Sequence, residues 1–408
     1  MDTTLSIAEA RLEPQADLDR LMRRALVVGL AGAVATAAAY VLAPLVFYRS
    51  YLVGCLLWLS VAAGLWGLGM LNHLTGGRWG VLARRVFEAA GRTLPFFLLL
   101  FLPLWLNLEA LYPWADAEHV AGDSLLQKKA AYLNPGAFVV RTAGTILLWS
   151  LIAYLLSWLS HRHDASGDDG LRRHMQRLSA AGAVIFVLSG TFASVDWIMS
   201  LEPHWFSSLF GVAFVVGQGL SAFAFLVPMM IFLGRRQPLK GLVKPRLFHD
   251  YGKLMLAFVM LWTYMAIGQY LIIWSGNLPE EITWYLARNT HGWKLLTVGL
   301  MVGHFALPFA ILLSADLKKN PRRLAILTFW VLAMRWLDFY WQVVPSAVEW
   351  QAAQGLLPAG PRAGFHPFDL APAVAIGGVW VALLAWQLKD RAILPVKDPI
   401  LKEALAHG

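Results

Sequence analysis

The sequence predicts an all-α integral membrane protein of about ten transmembrane helices, and three observations carry that prediction. Hydrophobic residues make up 58% of the 408-residue chain and charged residues only 14%, where soluble domains carry about a quarter. The mean hydropathy is +0.56. Apolar runs of about twenty residues recur along the whole length, enough for a helix rising about 1.5 Å per residue to cross about 30 Å of hydrocarbon. Finally, Lys and Arg alternate in density from one inter-run loop to the next.

Taken in order, spans are expected at about 25–47, 51–71, 94–113, 137–160, 178–200, 206–233, 253–275, 294–314, 323–344 and 370–390. Helices are the only form for such runs, because backbone polar groups find no water in lipid and a barrel would show short alternating segments. Residues 1–24 mix acids and bases ahead of a full-length span and read as a cytoplasmic arm, unlike a cleaved signal peptide. Residues 25–390 form the membrane domain, and 391–408 a cytoplasmic tail. The stretch RWGVLARRVFEAAGR (78–92) places basic and apolar residues at helical spacing, so a helix lying in the interface plane is expected there. A second surface helix is expected over Asn277–Asn289, where Pro279, Glu280 and Glu281 suit the first turn.

Orientation follows from the loops. Of 34 Lys and Arg, 26 fall on the side of the N-terminus, six on the other, and Arg141 and Arg335 lie inside spans. By the positive-inside rule both termini face the cytoplasm, which also requires an even number of spans. The net charge of +9 is therefore a membrane signal, and no nucleic-acid partner is expected. The opposite side carries Trp114, Trp205, Trp274, Trp284, Trp293 and Trp350 among acidic loops. Those residues suit an aromatic belt or a docking surface for an extracytoplasmic partner.

Ionisable groups inside the spans carry the functional signal, since each costs about 2.5–3.5 kcal/mol on insertion scales. Asp196 lies about one turn from the outer end of the fifth span. Arg335, Asp338 and Gln342 form one stripe on the ninth, where the two charges can neutralise each other. His304 lies mid-span in the eighth; Gln218, Tyr264 and Gln269 add neutral polar groups; Asn107 and Glu109 sit toward the outer end of the third. Arg141, about one turn inside the fourth span, is expected to snorkel to the interface. Each has a structural reading as well: a register-fixing pair for Arg335–Asp338, a helix-end residue for Asp196, a packing residue for His304.

Redox cofactors are constrained by composition. The single Cys55 excludes a Cys-ligated iron–sulfur cluster and a CxxCH haem site. With His304 the sole histidine deep in a span, a bis-histidine haem lacks its second ligand; no metal site is expected, and any redox role needs partner subunits. A weak internal repeat pairs Asp196-Trp197 and Pro203 with Asp338-Phe339 and Pro345, both at an offset of 142. It suggests two parallel four-helix bundles, about 51–200 and 206–344, flanked by the first and last spans.

The segments SVDWIMSLEPHWFSSLFG (194–211), HDYGKLMLAFVMLWTYMAIGQYLIIWSGNLPEEITWYLARN (249–289) and GHFALPFAILLSADLKKNPRRL (303–324) resemble the NrfD/polysulfide-reductase-type membrane subunits. They are most similar to the ActF-type subunits of bacterial alternative complex III, a quinol:cytochrome c oxidoreductase. The resemblance implies ten spans in two four-helix bundles within the bacterial inner membrane. It also implies an NrfD-like paralogue, an iron–sulfur subunit and a multihaem cytochrome c as partners, and quinol oxidation coupled to proton movement. The family's intramembrane carboxylates correspond to Asp196 and Asp338, while His204, Gln269, Glu280 and Glu281 fall within matched segments. Where many relatives have arginine after the serine closing the eighth span, this chain has Ala315.

The resulting expectation is a proton path through Asp196, Asp338 with Arg335, and His304, with His204, Gln269 and Tyr264 as candidate quinol contacts. A purely structural anchor of the same complex and a stand-alone secondary transporter are the rival classes. Polar groups gathered in the outer half, with no matched pair of interrupted helices, count against the transporter.

Overall fold

The computed structural model describes residues 6–290, 292–358 and 364–401; His291, Arg362 and Lys402 lie outside them. The described residues form helices and turns without a sheet, the only β-type contacts being two isolated bridges, Arg11 with Ala392 and Glu13 with Gln237. Among the described residues nine helices are long and apolar enough to cross a membrane. In chain order they are α1 (Ala16–Leu42), α2 (Pro44–Thr75), α4 (Pro135–Ser166), α5 (Asp169–Trp197), α6 (Phe210–Leu233), α7 (Pro245–Gly276), α9 (Trp293–Leu313), α10 (Pro321–Ala353) and α11 (Ala371–Leu388). A tenth, α3, is broken: Arg84–Arg92 and Phe96–Trp105 meet at 40° across Thr93, Leu94 and Pro95. The short helix α8 (Pro279–Asn289) lies between α7 and α9.

Two rings of four helices result. α2, α3, α4 and α5 close one ring and α6, α7, α9 and α10 the other, while α2 and α6 form the seam between them. These two seam helices are almost entirely buried, 89% and 83% over their apolar windows, whereas α7 is only 22% buried and shows its apolar side chains outward, as a lipid-facing helix does. α11 packs on α2, and α1 packs along α11. There the backbones touch: a Cβ on Gly29 would stand 2.7 Å from the Val379 nitrogen, and one on Gly378 would stand 2.3 Å from the Gly29 nitrogen. Small residues permit this approach where no hydrophobic effect drives helices together in lipid.

The termini share one face. The Ile393 amide donates to the Ala10 carbonyl (2.7 Å), Glu13 N to Gln237 O (2.9 Å), and Arg84 pairs with Asp398. On the opposite face Trp114 Nε1 reaches Ser200 O (3.0 Å), Trp205 Nε1 reaches Glu281 O (3.1 Å), and Trp350 Nε1 reaches Glu109 O (2.8 Å). The start of α1 and the end of α11 meet on one face, as an even number of crossings gives, and the nine long helices with the broken α3 make up to ten among the described residues.

Three expectations change. Residues 78–92 do not lie in the interface plane: Arg84 to Gly91 are all buried as the first half of α3. The third span is correspondingly earlier than 94–113, ending at Trp105, and residues 106–134 return as short helices and turns over the outer ends. Helix α8 exists where expected but tucks inward, with Trp284 and Arg288 buried. The tail after α11 also packs, burying Ile393, Leu394, Val396 and Leu401.

Because Cys55 is fully buried, the chain is a silent background for labelling. With cysteine placed at Glu118 or at Ala165, both exposed, a membrane-impermeant maleimide should label Glu118→Cys in intact cells and Ala165→Cys only after permeabilisation. The reverse pattern would invert the topology.

Candidate functional site

Helix α10 brings the deepest charges together. Arg335 lies fourteen residues into this 33-residue helix, about 21 Å along its axis, so it sits near mid-membrane. The i, i+3 spacing stacks Asp338 beside it, and the two form an ion pair that is 1% and 3% exposed. The Arg335 Nε donates to Ser221 Oγ on α6 (3.1 Å), and Ser60 Oγ on α2 donates to the same oxygen (3.0 Å). Ser221 in turn donates to the Gly217 carbonyl (3.0 Å). Gly217 leaves room for this placement, since a Cβ there would stand 2.6 Å from the guanidinium and displace it from Asp338. The pair is therefore clamped at the seam of the two bundles and faces helices, away from lipid.

From Asp338 the stripe runs outward. Gln342 is its neighbour one turn on, and Ser346, one turn further, donates to Glu202 Oε1 (2.6 Å) at the outer face. Arg288 of α8 locks that end. It donates to Glu202 Oε1 (3.0 Å), Ser346 Oγ (2.8 Å) and the carbonyls of Gln342 (2.8 Å), Trp284 (2.9 Å) and Trp341 (3.1 Å). Its guanidinium lies 3.2 Å from the Trp284 ring centroid, and Trp284 stacks on Trp205 at 4.2 Å. Toward the basic face the same stripe is Val331, Thr328 and Leu324, all buried and apolar but for one hydroxyl. The polar line thus leads from mid-membrane in one direction only.

Asp196 is held apart from this line. It is 2% exposed on α5, and Arg141 of α4 grips both its oxygens, Nε to Oδ2 at 2.9 Å and Nη2 to Oδ1 at 2.9 Å. Arg141 therefore turns into the bundle instead of snorkelling, because a carboxylate within reach outweighs solvent; it also donates to Tyr132 O (2.8 Å) and covers the Tyr132 ring at 3.8 Å. Between the two carboxylates stand Trp197 and Phe339, the residues that follow them in the internal repeat. Each packs on Phe214, at 6.3 and 6.2 Å. Trp149, Phe186 and Trp66 extend this aromatic layer into the first bundle.

The remaining candidates do not join either pair. His304 is fully buried in a π-helical turn, Met301–Ala306, directly before Pro308, whose missing N–H deprives the His304 carbonyl of its helical partner. The imidazole packs edge-on to Trp262 at 4.0 Å, and neither ring nitrogen has a hydrogen-bond partner among the described residues. It therefore does not link Asp338 to Asp196. Gln269 is buried and meets the Tyr285 hydroxyl (3.3 Å), whereas Tyr264 on another side of α7 is 72% exposed. His204 lies at the outer surface on Asp123 (2.8 Å). Partial burial works against the Asp123 carboxylate, but the Leu126 and Leu125 amides and His204 outweigh it and hold its pKa below the ordinary value. The three candidate quinol contacts do not converge on one cavity.

A further cluster was missed in the sequence. At the basic end of the first bundle Arg85 donates to Ser160 (3.0 Å) and pairs with Glu88 (2.5 Å) and Asp164, all buried. Beside it Arg92 donates to Ser157 (2.7 Å) and meets His161 (3.1 Å), and Arg84 pairs with Asp398. Among the described residues no group of three or more His, Cys, Asp or Glu could hold a metal ion.

No protein-family model and no curated protein matches this chain.

The pairing makes a definite prediction for stability. Replacing Arg335 or Asp338 alone strands a buried charge and should cost about 3–5 kcal/mol, whereas replacing both with apolar residues is neutral or better in comparable pairs. The double substitution Arg335→Met with Asp338→Leu should melt well above either single variant in detergent; equal melting of all three would contradict the pairing.

Proposed function

We propose that this chain is a membrane subunit of a quinol:cytochrome c oxidoreductase of the NrfD/polysulfide-reductase type, most like the ActF-type subunits of alternative complex III, and that it moves protons without a redox cofactor of its own. In this reading it resides in the bacterial inner membrane beside an NrfD-like paralogue, an iron–sulfur subunit and a multihaem cytochrome c. The similarity of residues 194–211, 249–289 and 303–324 to that family supports the assignment. The observation that carries the activity is the polar line from the mid-membrane Arg335–Asp338 pair through Gln342 and Ser346 to Glu202.

Quinol oxidation releases two protons and two electrons, so the membrane part must give protons a way out toward one face. A carboxylate held at mid-depth by a guanidinium is a proton acceptor whose occupancy changes with small movements of its partner. The Ser346 hydroxyl then leads outward, donating to Glu202 while accepting from Arg288. With His204, Gln269 and Tyr264 dispersed, the quinol is assigned to the paralogue and the proton exit to this chain.

One observation favours the anchor reading instead: Asp196 and Asp338 each have their own guanidinium, an arrangement that also serves assembly. The transporter reading is weaker still, because the two helix interruptions do not correspond. The break of α3 is in the second helix of its bundle and the π turn of α9 in the third of the other. In the assembled complex, Asp338→Asn should lower quinol turnover or the protons released per electron, and Asp338→Glu should restore part of the loss. Unchanged turnover and proton yield in an intact Asp338→Asn complex would leave the anchor.

A further inference from the structure

A second polar feature lies on the basic face, away from both carboxylates. There the end of α6, the start of α7 and the α9–α10 turn enclose a cavity of about 590 Å³, within the roughly 300–1,000 Å³ of small-molecule sites. Arg235, Lys319 and Arg322 line it together with one acid, Asp316, and none of the three cations makes an ion pair among the described residues. This contrasts with the interior, where Arg85, Arg288 and Arg335 are each matched to a carboxylate. The other wall is apolar, made by Ile231, Val243 and Phe248.

We infer that this cavity is a site for the phosphate headgroup of an anionic phospholipid of the cytoplasmic leaflet. The three cations supply charge for a phosphodiester, and the apolar wall suits the glycerol and upper acyl chain, a division that a free phosphate would not use. The cavity opens where α6 ends at Leu233 and α10 begins at Pro321, the level at which hydrocarbon gives way to headgroups. Basic pockets between spans on the cytoplasmic side bind anionic headgroups by this combination. Asp316, in the same lining, offsets part of the positive charge and leaves a net excess of two cations for the phosphate.

Native mass spectrometry of the full chain, delipidated in neutral detergent and titrated with phosphatidylglycerol, phosphatidylcholine or inorganic phosphate, tests this. One phosphatidylglycerol should bind more tightly than phosphatidylcholine, and inorganic phosphate should fail to displace it. The triple variant Arg235→Gln, Lys319→Gln and Arg322→Gln should weaken that binding on the order of 100-fold, three cations near a headgroup surface. All three are exposed, so the variant should melt like wild type without lipid. Neutralising Arg78, Arg173 and Arg177, exposed on the same face, should leave the binding unchanged. Equal binding of phosphatidylcholine, an unaffected triple variant or an equal loss in the control would overturn the site, and displacement by inorganic phosphate would overturn the lipid as its ligand.

Discussion

Arg85, Arg141 and Arg335 are each met by a carboxylate inside the helix bundles, and the cost of leaving such a charge unpaired sets much of the architecture. Arg335 with Asp338 fixes α10 against α6 and α2, Arg141 with Asp196 fixes α4 against α5, and Arg85 with Asp164 fixes α3 against α4. Each pair is worth little as net stability but severe to break, because the charge left behind has no water. The pairs therefore act on register: they say which turn of one helix lies beside which turn of the next. The glycine at position 217, which leaves room for a guanidinium, is the backbone counterpart of the same demand.

The distribution of these pairs matters as much as their presence. In the first bundle one lies toward each end, with Trp66, Trp149 and Phe186 packed between, and Trp197, Phe214 and Phe339 separate that bundle's outer carboxylate from Asp338. A continuous conduit through Asp196, Asp338 and His304 is not what this arrangement offers. It offers separate polar segments divided by aromatic rings, and only the segment in the second bundle runs from mid-depth to an outer surface. Under the proposed proton role, such an interruption would hold protons back from a leak between the two bundles.

Much of this was legible in the sequence. The positions of the spans, the shared side of the termini and the Arg335–Asp338–Gln342 stripe all rest on periodicities of a few residues, which a single helix imposes on its own stretch of chain. What escaped depends on distant partners. Residues 84–92 look like a surface helix because, beyond the local Arg85–Glu88 contact, their charges are matched by Asp164, 79 residues from Arg85, and Asp398, 314 residues from Arg84. Arg288 and Glu202 looked like ordinary loop charges for the same reason, being 86 residues apart. Tyr264 and Gln269 looked like neighbours because they share a helix, yet five residues turn them to different sides. The aromatic repeat at 197 and 339 was visible as a pattern, but only packing on Phe214 shows that it separates the two carboxylates it accompanies.

The claim that Asp338 and Glu202 lie on one outward line is tested most directly by a double-mutant cycle on proton release in the assembled complex, using Asp338→Asn, Glu202→Gln and their combination. If protons pass from one to the other, the double variant should be no more impaired than the worse single variant, a strong departure from additivity. Losses that simply multiply would mean that the two residues act independently, and the outward line would then be an accident of packing.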